Sequence, residues 1–121
     1  MAKKIMTVED STSLREMISF VIREAGYDAI EAKDGRDALA KLNGCPVDLV
    51  ITDLNMPLMN GIELTRSIRS SPAYKFIPII FLTTESQVQK KDAAKEAGAT
   101  GWIVKPFKPE QLLKVIKKVL G

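Results

Sequence analysis

The chain has 121 residues, 45% of them hydrophobic and 27% charged, with a formal net charge of +3. This fits one globular domain (1–121) that buries roughly two-thirds of its unfolded surface, and no apolar run approaches the roughly 20 residues that span a bilayer, which argues against membrane insertion. A single cysteine, Cys45, and no histidine exclude a disulfide framework, every histidine-dependent triad and most zinc sites, and fit a reducing cytoplasm.

Lys4 to Val8 reads as a first strand ending at Glu9–Asp10. Ser11, Thr12 and Ser13 offer N-cap oxygens; Ser13 with Glu16 fits a capping box, or the cap lies one or two residues earlier. Leu14, Met17, Ile18, Val21, Ile22 and Ala25 then recur at helical spacing until Gly26. Tyr27 to Ala32 is a short second strand, and Asp34 caps a second helix carrying Ala38, Leu39 and Leu42. Cys45 falls near the turn before Pro46. Leu49, Val50 and Ile51 form an apolar, partly β-branched run typical of a fully buried parallel strand, and it stops at Asp53. Pro57 and Gly61 mark a loop, after which Asn60 with Glu63 opens a third helix running to Ser70–Pro72. Phe76 to Leu82 is predicted as the fourth strand, with Pro78 early in it and Thr83–Thr84 at its end. A fourth helix is expected from Ser86 to Ala97, thinly packed through Val88, Ala93, Ala94 and Ala97 and showing Lys90, Lys91 and Lys95 outward. Thr100 to Val104 is the last strand, ending at Lys105–Pro106. Pro109 opens a fifth helix with Leu112, Leu113, Ile116, Val119 and Leu120 inward.

Strand and helix therefore alternate five times, which predicts an α/β fold with a parallel sheet and helices on both faces. The pattern alone does not give the strand order. In such sheets ligands bind beyond the carboxyl ends of the strands. Glu9–Asp10, Asp53, Thr83 and Lys105 all fall there, so three carboxylates, a hydroxyl and an ammonium converge on one edge. Taken singly, each is an ordinary cap, turn or surface residue. Together they describe a site. Three clustered carboxylates raise one another's pKa, and a divalent cation removes that cost; an oxygen-only cage suits magnesium. Lys105 is placed to pair with Asp53, and a phosphoryl group on Asp53 would be neutralised by the ion and Lys105, with Thr83 donating a hydrogen bond.

With these residues in view, the chain resembles a receiver domain of bacterial two-component signalling, most closely the stand-alone chemotaxis response regulator, from Lys4 to Leu120. Glu9–Asp10 matches the acidic pair, Asp53 the phosphoacceptor, Asn55 the residue whose backbone carbonyl ligates Mg2+, Thr83 the switch hydroxyl, Lys105–Pro106–Phe107 the lysine-proline-aromatic motif and Trp102 the aromatic switch position. The resemblance implies a flavodoxin-like, doubly wound (βα)5 sandwich with a five-stranded sheet in the order 2-1-3-4-5. It also implies transfer of a phosphoryl group from a histidine kinase, slow self-hydrolysis, and a changed face formed by helix 4, strand 5 and helix 5. Glu9 replaces the aspartate common at its position and reaches the metal through water. Trp102 is bulkier than the usual Tyr or Phe. Asn55 and Glu85 occupy the two positions that tune dephosphorylation. No output domain is expected after the fifth helix, so output is a docking event, with a flagellar motor switch protein as the candidate target and a dedicated phosphatase an open question.

Two other readings use the same residues. A stand-alone receiver in a non-chemotaxis phosphorelay would pass the phosphoryl group to a histidine phosphotransfer protein. An Asp-nucleophile phosphatase would want an acid two positions after Asp53, where Asn55 stands, and room for a cap domain. A nucleic-acid module ranks last. Residues 62–121 carry 11 basic and 5 acidic side chains, against 7 and 10 in residues 1–61, but only two of the basic ones are arginines, Arg66 and Arg69.

Overall fold

The structure is a computed structural model that describes residues 2–44, 46–84 and 90–121. Strands β1 (Lys4–Val8), β2 (Asp28–Ala32), β3 (Leu49–Asp53), β4 (Ile79–Thr83) and β5 (Gly101–Val104) alternate with helices α1 (Thr12–Glu24), α2 (Gly35–Leu42), α3 (Gly61–Ser70), α4 (Lys91–Ala97) and α5 (Pro109–Leu120). The strands form one sheet in the order β2-β1-β3-β4-β5, and every neighbouring pair is parallel. The (βα)5 order expected from the family resemblance is therefore the observed one.

Strand alternation sorts the core into two layers. Met6, Val8, Val50 and Phe81 face α2, α3 and α4, meeting Ala38, Leu42, Leu64, Ile68 and Ala94. Ile5, Leu49, Ile51, Ile80, Leu82 and Ile103 face α1 and α5, meeting Ile18, Val21, Ile22, Leu112 and Ile116. β3 and β4 are buried at every residue, which is why their sequences are continuous apolar runs rather than alternating ones.

Local chemistry fixes the element ends. The cap of α1 is Ser11, whose Oγ accepts from the Leu14 N–H at 3.4 Å, so the earlier cap holds rather than Ser13. Asp34 caps α2 through the Asp37 N–H at 2.8 Å. The Asn60–Glu63 capping box of α3 is reciprocal, at 2.8 and 3.0 Å. β4 begins at Ile79 rather than Phe76, which is 87% exposed. Pro78 has no N–H to give a ladder, so it precedes the strand, and its carbonyl accepts from the Val50 N–H at 3.0 Å. The predicted start of the fourth helix, with Ser86 and Val88, lies outside the described residues, as do Cys45 and Glu85. In α4 itself Ala94 and Ala97 are buried and Lys91 and Lys95 exposed. The far end of α4 is tied down by Arg69 of α3, whose guanidinium donates to the Gly98 carbonyl at 2.9 Å and to the Ile77 carbonyl at 2.7 Å.

Candidate functional site

Because β1 and β3 are adjacent, their carboxyl ends lie side by side at the point where the chain leaves for opposite faces of the sheet, the usual crevice of an open α/β fold. The pleat then selects which side chains meet. Asp53 continues the series Leu49, Ile51; Glu9 continues Ile5, Thr7; Lys105 continues Ile103. All three series belong to the α1–α5 side of the sheet. Lys105 Nζ lies 3.0 Å from Asp53 Oδ1 and 3.6 Å from Glu9 Oε2. Asp10, just past the strand, is exposed, and one carboxylate oxygen each from Glu9, Asp10 and Asp53 fall within 4.8 Å of one another.

The site is electrically incomplete. Asp53 is 6% exposed and Glu9 1%, and among the described residues a single ammonium, Lys105, pairs with both. Asp53 Oδ1 takes the Leu54 N–H at 3.0 Å as well as Lys105. Burial nevertheless outweighs these donors and raises the Asp53 pKa. Glu9 Oε1 accepts from the Ser11 N–H at 3.1 Å, but the buried Oε2 has no hydrogen-bond partner among the described residues. Burial first, and the neighbouring Asp53 charge second, push the Glu9 carboxyl from 4.5 up to about 7, against the Ser11 hydrogen bond and Lys105. A buried carboxylate oxygen with no hydrogen bond and only the Lys105 ammonium at 3.6 Å, inside a ring of oxygen donors, fits a hard divalent cation, which would add the missing positive charge.

The remaining sequence candidates are placed differently. Thr83 ends β4 on the opposite pleat, continuing Phe81; it is fully buried, and its hydroxyl has no partner among the described residues. Trp102 pairs with Phe81 across the sheet, their ring centroids 6.0 Å apart and tilted by 33°. It is partly buried, between Lys91, Lys95 and Ala99 on one side and Val115 and Lys118 on the other. Thr83, Phe81 and Trp102 thus share one face, while Glu9, Asp53 and Lys105 share the other. Asn55 is exposed in the loop after β3.

Gly61 is read from the sequence only as a loop marker, and Leu58 is not singled out there. Gly61 donates its N–H to the Leu54 carbonyl at 2.8 Å, and a Cβ there would stand 2.5 Å from the Asp53 carbonyl oxygen. Only glycine lets the loop close this tightly behind Asp53. Leu58 is 71% exposed and has a φ of 70°, a left-handed conformation uncommon for a leucine. The Arg15 side chain, which touches the Glu9 backbone, was also missed. A basic residue at the start of a helix opposes the helix dipole and is the signal that could have drawn attention to it.

The fold and this pocket define the class. The chain belongs to the response regulator receiver domain family, which it matches over residues 5–117. Within the family it is closely related to stand-alone chemotaxis proteins of the CheY type. It is 40% identical over 120 residues to chemotaxis protein CheY1 of Helicobacter pylori, covering 98% of this chain and 97% of that protein. It superimposes on Vibrio cholerae chemotaxis protein CheY4 with a TM-score of 0.95 at 48% identity, covering 99% and 100% of the two chains. The receiver domain of sensor histidine kinase PA1611 from Pseudomonas aeruginosa, a structure with a magnesium ion coordinated in its active-site cleft, matches with a TM-score of 0.91 at 26% identity, over 100% and 99% of the two chains. Such a domain is a signalling switch with slow self-dephosphorylation, not a turnover enzyme. Among the described residues no helix is long and apolar enough to cross a membrane.

Proposed function

We propose that Asp53 is the phosphoacceptor of a chemotaxis switch, charged by a histidine kinase and read by a downstream protein for which a flagellar motor switch component is the candidate. The observation that carries this reading is the buried Asp53 carboxylate, 3.0 Å from Lys105 and ringed by Glu9 and Asp10 at the edge of the sheet. Asp53 Oδ1 is committed to the Leu54 N–H and Lys105, so we assign Oδ2 as the nucleophile. Its electron pair attacks phosphorus, the P–N bond to the donor histidine breaks, and that bond's electron pair leaves with the imidazole, which takes up a proton.

Glu9, Asp10, Asp53 and the Asn55 carbonyl are the groups that would hold Mg2+, Glu9 through water. The bound ion would supply positive charge to the phosphoryl oxygens and cancel the repulsion among the carboxylates. Lys105 gives up part of its contact with Asp53 to neutralise the transferred oxygens. Thr83, a buried hydroxyl without a partner among the described residues, gains an acceptor by moving toward the phosphoryl group. Phe81 and Trp102 lie on the same face as Thr83, so its displacement reaches the ring and the basic surface around it. Asn55 and Glu85 are assigned to tuning hydrolysis. The protein is proposed to work in the cytoplasm.

Incubation with Mg2+ and acetyl phosphate should add one phosphoryl mass to the wild type, acid-stable and base-labile. Asp53→Asn should gain none. Labelling of that variant at the wild-type level would remove Asp53 from the role.

A further inference from the structure

Arg15 is the fourth residue of α1, where a cation opposes the helix dipole, yet its side chain is only 16% exposed. Its Nη1 donates to the backbone carbonyl of Glu9 at 2.7 Å, and its Nε donates to Glu31 Oε1 at 3.2 Å. Glu31 belongs to β2, so the guanidinium bridges the edge of the sheet, the first turn of α1 and the peptide that joins Glu9 to Asp10. That peptide's neighbourhood is otherwise fixed by the Glu9 N–H, which donates to the Ala32 carbonyl at 3.1 Å, and by the Ser11 N–H on Glu9 Oε1 at 3.1 Å. Arg15 adds a restraint on the carbonyl itself. A planar fork can hold carbonyl and carboxylate at once, with the Glu31 charge fixing the fork's direction.

We propose that Arg15, anchored by Glu31, is a positioning residue for the cation site: it fixes the Glu9–Asp10 peptide so that both carboxylates point into one cage. This rests on the reading of Glu9, Asp10 and Asp53 as a divalent-cation site. Arg15 touches no ligand oxygen of that cage and acts only through the backbone between two of its members. Groups that orient metal ligands in this indirect way typically contribute 10–100-fold to metal affinity.

The sign of the effect separates positioning from charge. Arg15 is a cation close to a cation site, so through space alone it repels Mg2+. Replacing it with a neutral residue should then tighten binding. Positioning predicts the opposite. Calorimetric titration with MgCl2 of the intact chain, at fixed ionic strength, should show affinity about 10-fold weaker in Arg15→Met. Arg15→Lys keeps the charge but cannot span both acceptors with one planar fork, and should fall between the two. Far-UV circular dichroism of the metal-free proteins checks that the fold survives. If Arg15→Met does not fold, Arg15→Lys decides alone, a weaker Kd supporting the proposal and a wild-type Kd overturning it. Unchanged or tighter binding in a folded Arg15→Met overturns it, whatever happens to melting temperature, because a merely structural Arg15 would lower stability and leave the Kd alone. Wild-type protein and Asp10→Asn serve as controls. If the wild type binds no Mg2+, or Asp10→Asn binds it equally well, the cation-site reading itself has failed.

Discussion

The buried Glu9 carboxyl makes the metal-free protein less stable than its fold allows, and Glu9→Gln should reveal by how much. Unfolded, this carboxyl titrates near 4.5; folded, it is held at about 7. Between those values the folded state binds more protons than the unfolded one, so stability falls as pH rises through the window. A displacement from 4.5 to about 7 corresponds to on the order of 3 kcal/mol lost above pH 7, at about 1.4 kcal/mol per pH unit. Glutamine retains an oxygen for the Ser11 N–H but forgoes the attraction to Lys105, so the net gain above pH 7 should be about 1–3 kcal/mol, worth roughly 4 °C in Tm per kcal/mol for a domain of this size. Urea unfolding in EDTA at several pH values between 5 and 8.5, followed by far-UV circular dichroism, measures it. The variant's advantage should be small at pH 5 and grow with pH. Saturating Mg2+ should narrow the difference, since binding at 100 times Kd adds about 2.7 kcal/mol to the wild type and less to a variant short of one charged donor. A stability difference that does not change with pH, or a variant less stable at pH 8, would refute the argument that burial of the Glu9 charge outweighs its pairing with Lys105 and Ser11.

Protonation of Glu9 removes a negative charge that attracts Mg2+, so the Mg2+ Kd of the wild type should weaken as pH falls below about 7, with a shallower dependence in Glu9→Gln; parallel pH profiles in titration calorimetry would contradict this. Lys105→Ala should stay folded, because Ile103 anchors β5 in the core, but should lose most of the gain in partner affinity on phosphorylation, and a wild-type gain would exclude Lys105 from the coupling. Mg2+ with beryllofluoride should change the emission of Trp102 in wild type, not at all in Asp53→Ala and less in Thr83→Ala; an equal change in Thr83→Ala would break the proposed route through the hydroxyl. The matching rise in partner affinity should be modest, about 1–3 kcal/mol, and should weaken with salt if Lys91 and Lys95 make the contact. Leu58→Asn should raise stability by about 0.5–1 kcal/mol, because asparagine tolerates the left-handed backbone better and the replaced side chain is 71% exposed; no gain in chemical denaturation would mean that the φ of 70° carries no strain.

Much of this protein is determined locally. The apolar run at Leu49–Ile51, the helical spacing from Leu14 to Ile22, the Asp34 cap and the Asn60–Glu63 box act between near neighbours, so the alternation of strand and helix and the placing of Glu9, Asp10, Asp53, Thr83 and Lys105 at strand ends could be read from residue order. What lies across the sheet could not. Register and strand order join residues from 21 to 44 positions apart, Thr7 with Ile51 at the far end of that range, and no local pattern encodes that pairing. Only the adjacency of β1 and β3 brings Glu9 to Asp53, and only the pleat separates the Asp53 face from that of Thr83 and Trp102. The pKa of Glu9, the closeness of Gly61 to the Asp53 carbonyl and the grip of Arg15 on the Glu9 carbonyl follow from the same cause: burial and contact distances exist only once the distant segments have packed together.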